Sequence, residues 1–290
     1  PYPFPFACTP SVYPQSTGTR LPSSLVYLLP GLILGISASS LFLAAFIPGV
    51  LILLGVLVTN VYMNRRRNYE SGHAFGSPRE MLRATWNAKL ALATPVIILG
   101  GIYSGVFTPT ESAAVAVLVI LVSTLPRGEL TMADFPDMFD RSAAINGTIA
   151  PILAVALLFG NLLSLYRVPG AIVDLLVGTT SSEIQVILMM FLIFTVAGAV
   201  METGPNLVIL GPLLLPTAEA IGMHPIHYTV FMVSVLGVGF ITPPFGLNLF
   251  VMSGITGESV DKIARDALPF VVVLLAIALA IAFFPELYMW

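Results

Sequence analysis

Two short polar stretches within apolar sequence carry the side chains best suited to bind an ion. The first is Thr203-Gly204-Pro205-Asn206, and the second is Thr242-Pro243-Pro244-Phe245-Gly246, with Asn248 two residues later. Proline cannot donate a helical hydrogen bond, so each stretch interrupts a helix and frees backbone carbonyls. With the side-chain oxygens of Thr203, Asn206, Thr242 and Asn248, these carbonyls are typical ligands of a hard cation such as Na⁺. The sequence therefore predicts a cation site built from neutral oxygens at two helix breaks.

The chain that positions these residues is too apolar for a soluble protein. Only 9% of its 290 residues carry a formal charge, against about 25% in an ordinary soluble domain. Its mean hydropathy is +0.95, and several uncharged stretches exceed the roughly 20 residues that a helix needs to cross the hydrocarbon. These stretches show no alternation of polar and apolar residues, so helices are expected. We therefore expect an all-α polytopic membrane protein in a lipid bilayer.

Other classes of function lack their signatures. A net charge of −3 without a basic stripe does not support a nucleic-acid partner. The single cysteine, Cys8, excludes an internal disulfide and a cysteine-cluster metal site. The sequence contains no His-Glu-x-x-His pair, no paired intramembrane aspartates and no Gly-rich loop with a lysine. We therefore expect neither an enzyme nor a bound cofactor.

Breaks in the apolar pattern divide the chain into five regions. Residues 64–89 hold six of the twelve basic residues, which places this loop in the cytoplasm by the positive-inside rule. Residues 77–89 are predicted to form a helix on the membrane surface. The regions are a disordered or foreign lead-in at 1–24, a Pro30-containing segment and one span (Leu41 to Met63) at 25–63, the basic loop at 64–89, three spans and a connector at 90–182, and a transport region at 183–290.

The apolar stretch 90–126 is too long for one crossing, and its turn chemistry predicts where it divides. Thr108 is suited to cap a helix, Pro109 to occupy its first position, and Glu111 to complete a capping box three residues after the cap. We therefore predict two spans joined by a tight turn at 107–110.

The region 183–290 is expected to contain a re-entrant hairpin, a broken helix and a last span. The arms 184–201 and 203–218 correspond to about 27 and 24 Å of helix, slightly short of the hydrocarbon thickness, so a hairpin with its tip near the midplane fits better than two crossings. The stretch 220–257 must be discontinuous at its Pro-Pro pair. Lys262 and Arg265 are predicted to lie in a cytoplasmic loop before a last span at 269–284.

Three ordered motifs resemble the large membrane (permease) subunit of tripartite ATP-independent periplasmic (TRAP) transporters. They are GGIYSGVFTPTESAAVAV at 100–117, GPLLLPTAEAIGMHPIHY at 211–228 and GVGFITPPFGLNLFVMSGI at 237–255. The similarity extends from about Leu25 to the C-terminus. It covers the second of the family's two repeats, and residues 25–36 resemble the end of the first.

This resemblance implies an elevator-type fold of inverted repeats, each with a re-entrant hairpin and a broken helix. It also implies Na⁺-driven uptake of organic acids in a bacterial inner membrane, with a periplasmic solute-binding protein and a small membrane subunit as partners. Carried onto this chain, it places Na⁺ at Thr203, Gly204, Pro205, Thr242, Pro243, Gly246 and Asn248, and the substrate at Asn206, Thr242 and Asn248.

Plainer interpretations of the same residues stay open at this point. The Thr242 stretch could be a proline kink satisfied by neighbouring helices, and the Thr203 stretch an interfacial turn between two short spans. His224 and His227 adjoin Pro225 at the edge of a loop, where a surface role is expected. Because most of the first repeat is missing, the alternative to a working carrier is a truncated, non-transporting membrane fragment of such a permease.

Overall fold

The structure is a computed structural model that describes residues 25–67, 77–87, 89–128, 130–178, 182–244 and 246–289. The predicted lead-in at 1–24 lies outside these residues. The described part contains helices and no strand. The α-helices are α1 Leu25–Leu34, α2 Ala38–Arg67, α3 Pro78–Asn87, α4 Lys89–Tyr103, α5 Pro109–Thr124, α6 Phe135–Leu165, α7 Val168–Gly178, α8 Glu183–Val200, α9 Thr203–Ala220, α10 Pro225–Leu236, α11 Leu247–Thr256 and α12 Val260–Phe283.

The all-α membrane architecture predicted from composition is confirmed. Among the described residues, four helical segments are long and apolar enough to cross a membrane: Ala38–Arg66, Thr110–Arg127, Glu183–Val200 and Val260–Phe283. The first contains the predicted span from Leu41 to Met63. It continues into the basic loop as one 30-residue helix, because its last turns carry polar residues that are favoured at the membrane surface.

The described residues fold into two units. The first, here called the hairpin unit, combines α1 and α2 with the residues from Ile152 to the end of the described chain. The second comprises the described residues between 77 and Pro151. Every residue of α10 from His227 to Leu236 is buried, as is typical of a helix that is apolar on all sides. Helix α10 therefore forms the centre of the hairpin unit, where it contacts α2, α8, α9 and α12.

The second unit confirms the turn predicted between two spans. Helix α4 ends at Tyr103 and α5 begins at Pro109. Thr108 caps α5: its hydroxyl accepts a hydrogen bond from the Glu111 amide at 3.3 Å, and the Glu111 carboxylate accepts one from the Thr108 amide at 2.8 Å. This reciprocal pair is the predicted capping box.

Three helix ends lie on the same side of the hairpin unit, around one cavity. A cavity of about 420 Å³ is lined by Ser40 at the start of α2, His224 at the start of α10 and Tyr288 after the end of α12, among others. The predicted basic loop at 64–89 follows the opposite end of α2.

Two expectations for the C-terminal region were wrong. Lys262 and Arg265 lie within α12 rather than in a loop, and Pro269 is inside this helix rather than at its start. Glu258 forms an ion pair with Lys262 at 2.9 Å beside the first turn. The helix continues through Pro269 because a single proline removes only one helical hydrogen bond donor.

His227 is also not a surface residue. It is 5% exposed, its Nε2 lies 3.2 Å from the Ile281 carbonyl oxygen, and its ring packs edge-on against Tyr288. His224 is exposed as expected and caps α10 by accepting a hydrogen bond from the Ile226 amide.

Candidate functional site

The tip of the predicted hairpin is a two-residue connection between α8 and α9. Met201 and Glu202 have extended backbone conformations, and α9 begins at Thr203. The interruption therefore lies one step earlier than predicted, because the stretch from Thr203 to Asn206 is not unwound but forms the first turn of α9, where a proline has no helical hydrogen bond to lose. The Asn206 side chain is 2% exposed, and its nitrogen donates hydrogen bonds to the carbonyl oxygens of Ala197 at 3.0 Å and Met201 at 3.2 Å. Asn206 therefore ties the first turn of α9 to the last turn of α8.

The broken helix predicted from the Pro-Pro pair is confirmed. After α10, the backbone tightens into a 3₁₀ turn at Gly237–Ile241 and becomes extended at Thr242, with φ −108° and ψ 127°. The peptide bond between Pro243 and Pro244 is cis, and α11 begins only at Leu247. The Thr242 hydroxyl donates to the Val238 carbonyl oxygen at 2.8 Å.

The hairpin and the break are in direct backbone contact through two glycines. A Cβ atom added to Gly239 would overlap the carbonyl group of Gly198, and one added to Gly198 would lie 3.1 Å from the Leu236 carbonyl oxygen. The last turn of α8 thus packs against the 3₁₀ turn as closely as two backbones allow. Sequence reasoning did not single out these two residues, although each lies a few residues before one of the predicted breaks.

A cavity of about 100 Å³ lies where the two breaks meet. It is lined by Gly198, Met201, Glu202, Thr203, Gly239, Phe240 and Gly246. This space is large enough for a cation with coordinating waters. Two of the predicted site residues, Thr203 and Gly246, line it from opposite breaks.

The other predicted residues are close in sequence to this cavity without lining it. The Thr242 carbonyl oxygen accepts a hydrogen bond from the Gly246 amide at 3.1 Å. Pro243 is exposed, while Gly204 and Pro205 are half-buried. Asn248 is 4% exposed, and its side-chain nitrogen is buried without a hydrogen bond partner among the described residues. Such an unpaired buried donor is costly unless a ligand or water satisfies it.

Helix ends give the cavity both signs of electrostatic potential. Helix α8 and the 3₁₀ turn end there and present carbonyl groups, whereas α9 and α11 begin there and present amide groups. Helix C-termini favour cations and helix N-termini favour anions. The described residues contain no group of three or more His, Cys, Asp or Glu side chains that could hold a metal ion. The oxygens of this cavity's lining are the Glu202 carboxylate, the Thr203 hydroxyl and backbone carbonyls.

A buried tyrosine holds both arms of the hairpin. The Tyr228 hydroxyl donates to the carbonyl oxygens of Leu210 at 2.8 Å and Gly211 at 3.0 Å, both on α9. Its ring lies 6.0 Å from that of Phe194 on α8, and Phe194 also packs edge-on against Phe231. One side chain of the central helix α10 thus contacts α8 and α9 together.

The sequence comparisons point to one family. The family described as "Tripartite ATP-independent periplasmic transporter, DctM component" matches residues 15–287. The match begins upstream of Leu25, where the motifs placed the start of the similarity.

Three relatives are 31% to 34% identical to this chain over 92% to 94% of its length. The isethionate TRAP transporter permease protein DctMQ of Oleidesulfovibrio alaskensis is 31% identical over 94% of this chain and 43% of its own length. The sialic acid TRAP transporter large permease protein SiaM of Vibrio cholerae is 31% identical, with 93% and 63% covered. The C4-dicarboxylate TRAP transporter large permease protein DctM of Pseudomonas aeruginosa is 34% identical, with 92% and 63% covered.

The chain spans 43% to 63% of the length of these three relatives. The family match covers most of the chain, and the apolar helices agree with the family's location in the membrane. The chain therefore belongs to the DctM component family of TRAP transporters, the large permease subunits, and is a multi-pass protein of the inner membrane.

Proposed function

We propose that this chain acts in a Na⁺-coupled secondary transporter that imports organic acids through an elevator-type movement. Its partners are a small membrane subunit and a periplasmic solute-binding protein that delivers the substrate. The observation that carries this proposal is the cavity at which the hairpin tip and the helix break meet, since it is lined by Thr203 on one side and Gly246 on the other.

Na⁺ binds in this proposal at the carbonyl ends of α8 and the 3₁₀ turn. The hydrogen of the Thr242 hydroxyl is already donated to Val238, so the lone pairs of its oxygen remain for a cation. Thr203 contributes its hydroxyl from the hairpin tip, with Gly204, Pro205, Pro243, Gly246 and Asn248 completing the set that the family resemblance implies. Because the ligands come from both breaks, a bound Na⁺ holds the hairpin against the broken helix.

The substrate's anionic group binds at the amide ends of α9 and α11. Asn248 lies in the first turn of α11, and its side-chain nitrogen has no hydrogen bond partner among the described residues, which suits it to donate a hydrogen bond to a carboxylate. Thr242 adjoins this part of the site, and Asn206 supports it by holding the hairpin tip, since both of its side-chain hydrogens are donated to Ala197 and Met201. The relatives are named for isethionate, sialic acid and C4-dicarboxylates, which all carry an anionic group.

Coupling follows from this shared geometry. A cation that fixes the hairpin against the break also fixes the amide ends of α9 and α11 for the substrate. Binding free energies are reciprocal, so substrate must raise the affinity for Na⁺ by the same factor by which Na⁺ raises the affinity for substrate.

Uptake in the complete assembly tests this proposal. Radiolabelled succinate, N-acetylneuraminate and isethionate serve as probes, with Na⁺ varied against K⁺ at constant ionic strength. Thr242→Ala should raise the Na⁺ concentration needed for half-maximal uptake, and Asn248→Ala should raise the substrate concentration needed. Thr256→Ala is the matched control, because the Thr256 hydroxyl makes the same bond to the carbonyl four residues earlier but lies away from the cavity.

Unchanged Na⁺ dependence in Thr242→Ala would contradict the assignment of this residue. The alternative of a truncated, non-transporting permease predicts a different result, namely assembly with partners but no Na⁺-driven uptake of any probe in the unmodified protein.

A further inference from the structure

Helix α3 carries an apolar stripe beside a basic stripe. Leu82 and Trp86 are one turn apart and are 71% and 68% exposed. Arg79 and Arg83 are also one turn apart and are exposed. At 100° per residue the two pairs occupy adjacent sectors of the helix surface. The helix therefore presents large apolar side chains and guanidinium groups side by side.

Residues 79–89 contain three basic residues and one acidic residue, Glu80, so this segment carries a net positive charge. Neither arginine forms an ion pair with a side chain that the structure describes. A third cation joins them, since the Lys89 ammonium lies 4.7 Å from the centre of the Trp86 ring, within the range of a cation–π contact. Arg79, Arg83 and Lys89 thus form a cationic cluster around an exposed indole.

The connection to α4 fixes the depth of this helix in the membrane. Helix α3 ends at Asn87 and α4 begins at Lys89, with an apolar segment from Ala93 to Tyr103. One end of α3 is therefore held at the level where α4 enters the hydrocarbon, while its charged side chains exclude it from the hydrocarbon itself. The interface satisfies both constraints, and it is also where tryptophan is favoured.

We propose that Arg79, Arg83 and Lys89 bind the phosphate groups of anionic phospholipids, with Leu82 and Trp86 inserted among the upper acyl chains. A guanidinium donates two parallel hydrogen bonds to a phosphate. The basic residues place this loop in the cytoplasm, where the leaflet surface is negatively charged. The site selects lipid by headgroup charge, and this inference does not depend on the transport mechanism.

Quenching of Trp86 fluorescence by brominated lipids tests the proposal on the full chain. The sequence contains two tryptophans, so Trp290→Phe leaves Trp86 as the single reporter. The protein is placed in phosphatidylcholine nanodiscs with a fixed small fraction of either brominated phosphatidylglycerol or brominated phosphatidylcholine. The anionic lipid should be enriched about fivefold per arginine, which corresponds to the ~1 kcal/mol that one basic residue contributes near an anionic surface.

Three results would overturn the proposal. Equal quenching by the two lipids would show no headgroup selection, and no quenching by either would place Trp86 away from the membrane. A preference that survives Arg79→Gln with Arg83→Gln would remove these residues from the site. The control is Arg127→Gln with Arg141→Gln, which deletes the same charge from two other exposed positions and should leave the preference for the anionic lipid unchanged.

Discussion

Substitution of Gly239 by alanine tests whether the hairpin and the broken helix are in contact. The new Cβ would lie 2.8 Å from the Cα atom of Gly198 and closer still to its carbonyl group. Ordinary contacts of this kind are at 3.4 to 4 Å. Because the obstructing atoms belong to a backbone, no side-chain rotation relieves the overlap, so α8 and the 3₁₀ turn must move apart.

Overpacking a well-packed core usually costs about 1–3 kcal/mol, and the rigid neighbour places Gly239→Ala at the upper end of this range. Gly198→Ala meets the Leu236 carbonyl oxygen at 3.1 Å, a tight contact that a small shift relieves, so about 1 kcal/mol is expected. Gly254→Ala is the control on the same broken helix, since its added methyl would meet no atom within 4 Å.

The assay is reversible unfolding of the purified chain in mixed micelles by SDS, followed by circular dichroism. The free energy of unfolding should decrease in the order Gly254→Ala, Gly198→Ala, Gly239→Ala. If Gly239→Ala is as stable as Gly254→Ala, then α8 does not touch the 3₁₀ turn and the shared cavity does not exist.

Four further predictions follow from individual hydrogen bonds. Tyr228→Phe keeps the ring but loses the hydroxyl that holds α9, which should lower the free energy of unfolding by about 0.5–1.5 kcal/mol and speed amide hydrogen exchange in α9. Asn206→Asp replaces a donor with an acceptor facing two carbonyl oxygens, and about 1–3 kcal/mol should be lost in the SDS assay. Thr108→Ala removes the cap of α5 at a cost of about 0.5–2 kcal/mol, whereas Thr108→Ser should restore most of it. Hydrogen bonds from Thr131 lower the pKa of Asp134. The stabilisation that these bonds give the folded chain is therefore present at neutral pH and is lost as pH falls through that lowered pKa. A carbon-13 NMR titration of the Asp134 carboxyl should show the lowered pKa, and Thr131→Val should bring the pKa closer to its ordinary value.

Each of these has a result that would contradict it. Unchanged exchange in α9 would mean that the tyrosine hydroxyl does not hold the hairpin. A fully stable Asn206→Asp protein would exclude the two carbonyl contacts at the tip. A Thr108→Ala protein that is as stable as the parent would show that Thr108 does not cap α5. An ordinary pKa for Asp134 would show that Thr131 does not bond to its carboxylate.

Local chemistry allowed the break after Thr242 to be predicted from sequence. The Pro-Pro pair after Thr242 removes two consecutive backbone donors, and no tertiary contact can restore them. The cap at Thr108 was equally predictable, because a capping box involves only residues three apart. In both cases the determining interaction lies within one turn of chain.

Features that depend on distant residues could not be predicted in this way. Gly198 and Gly239 are far apart in sequence, and only their packing shows why each lacks a side chain. His227 adjoins a loop in sequence but is buried because α12 and Tyr288 cover it. The early start of α12 is by contrast a local feature that was missed, because Lys262 and Arg265 were counted as loop charges although both lie within the helix.

Dependence of unfolding on Na⁺ is the most direct test of the central claim. The melting temperature of the detergent-solubilised chain is compared in NaCl and in KCl at equal ionic strength. A cation that bridges both breaks should stabilise the parent by about 2.7 kcal/mol at 100 times its dissociation constant, and Thr242→Ala should lose this increment while Thr256→Ala keeps it. Equal melting temperatures of the parent in the two salts would contradict a Na⁺ site between the hairpin tip and the broken helix.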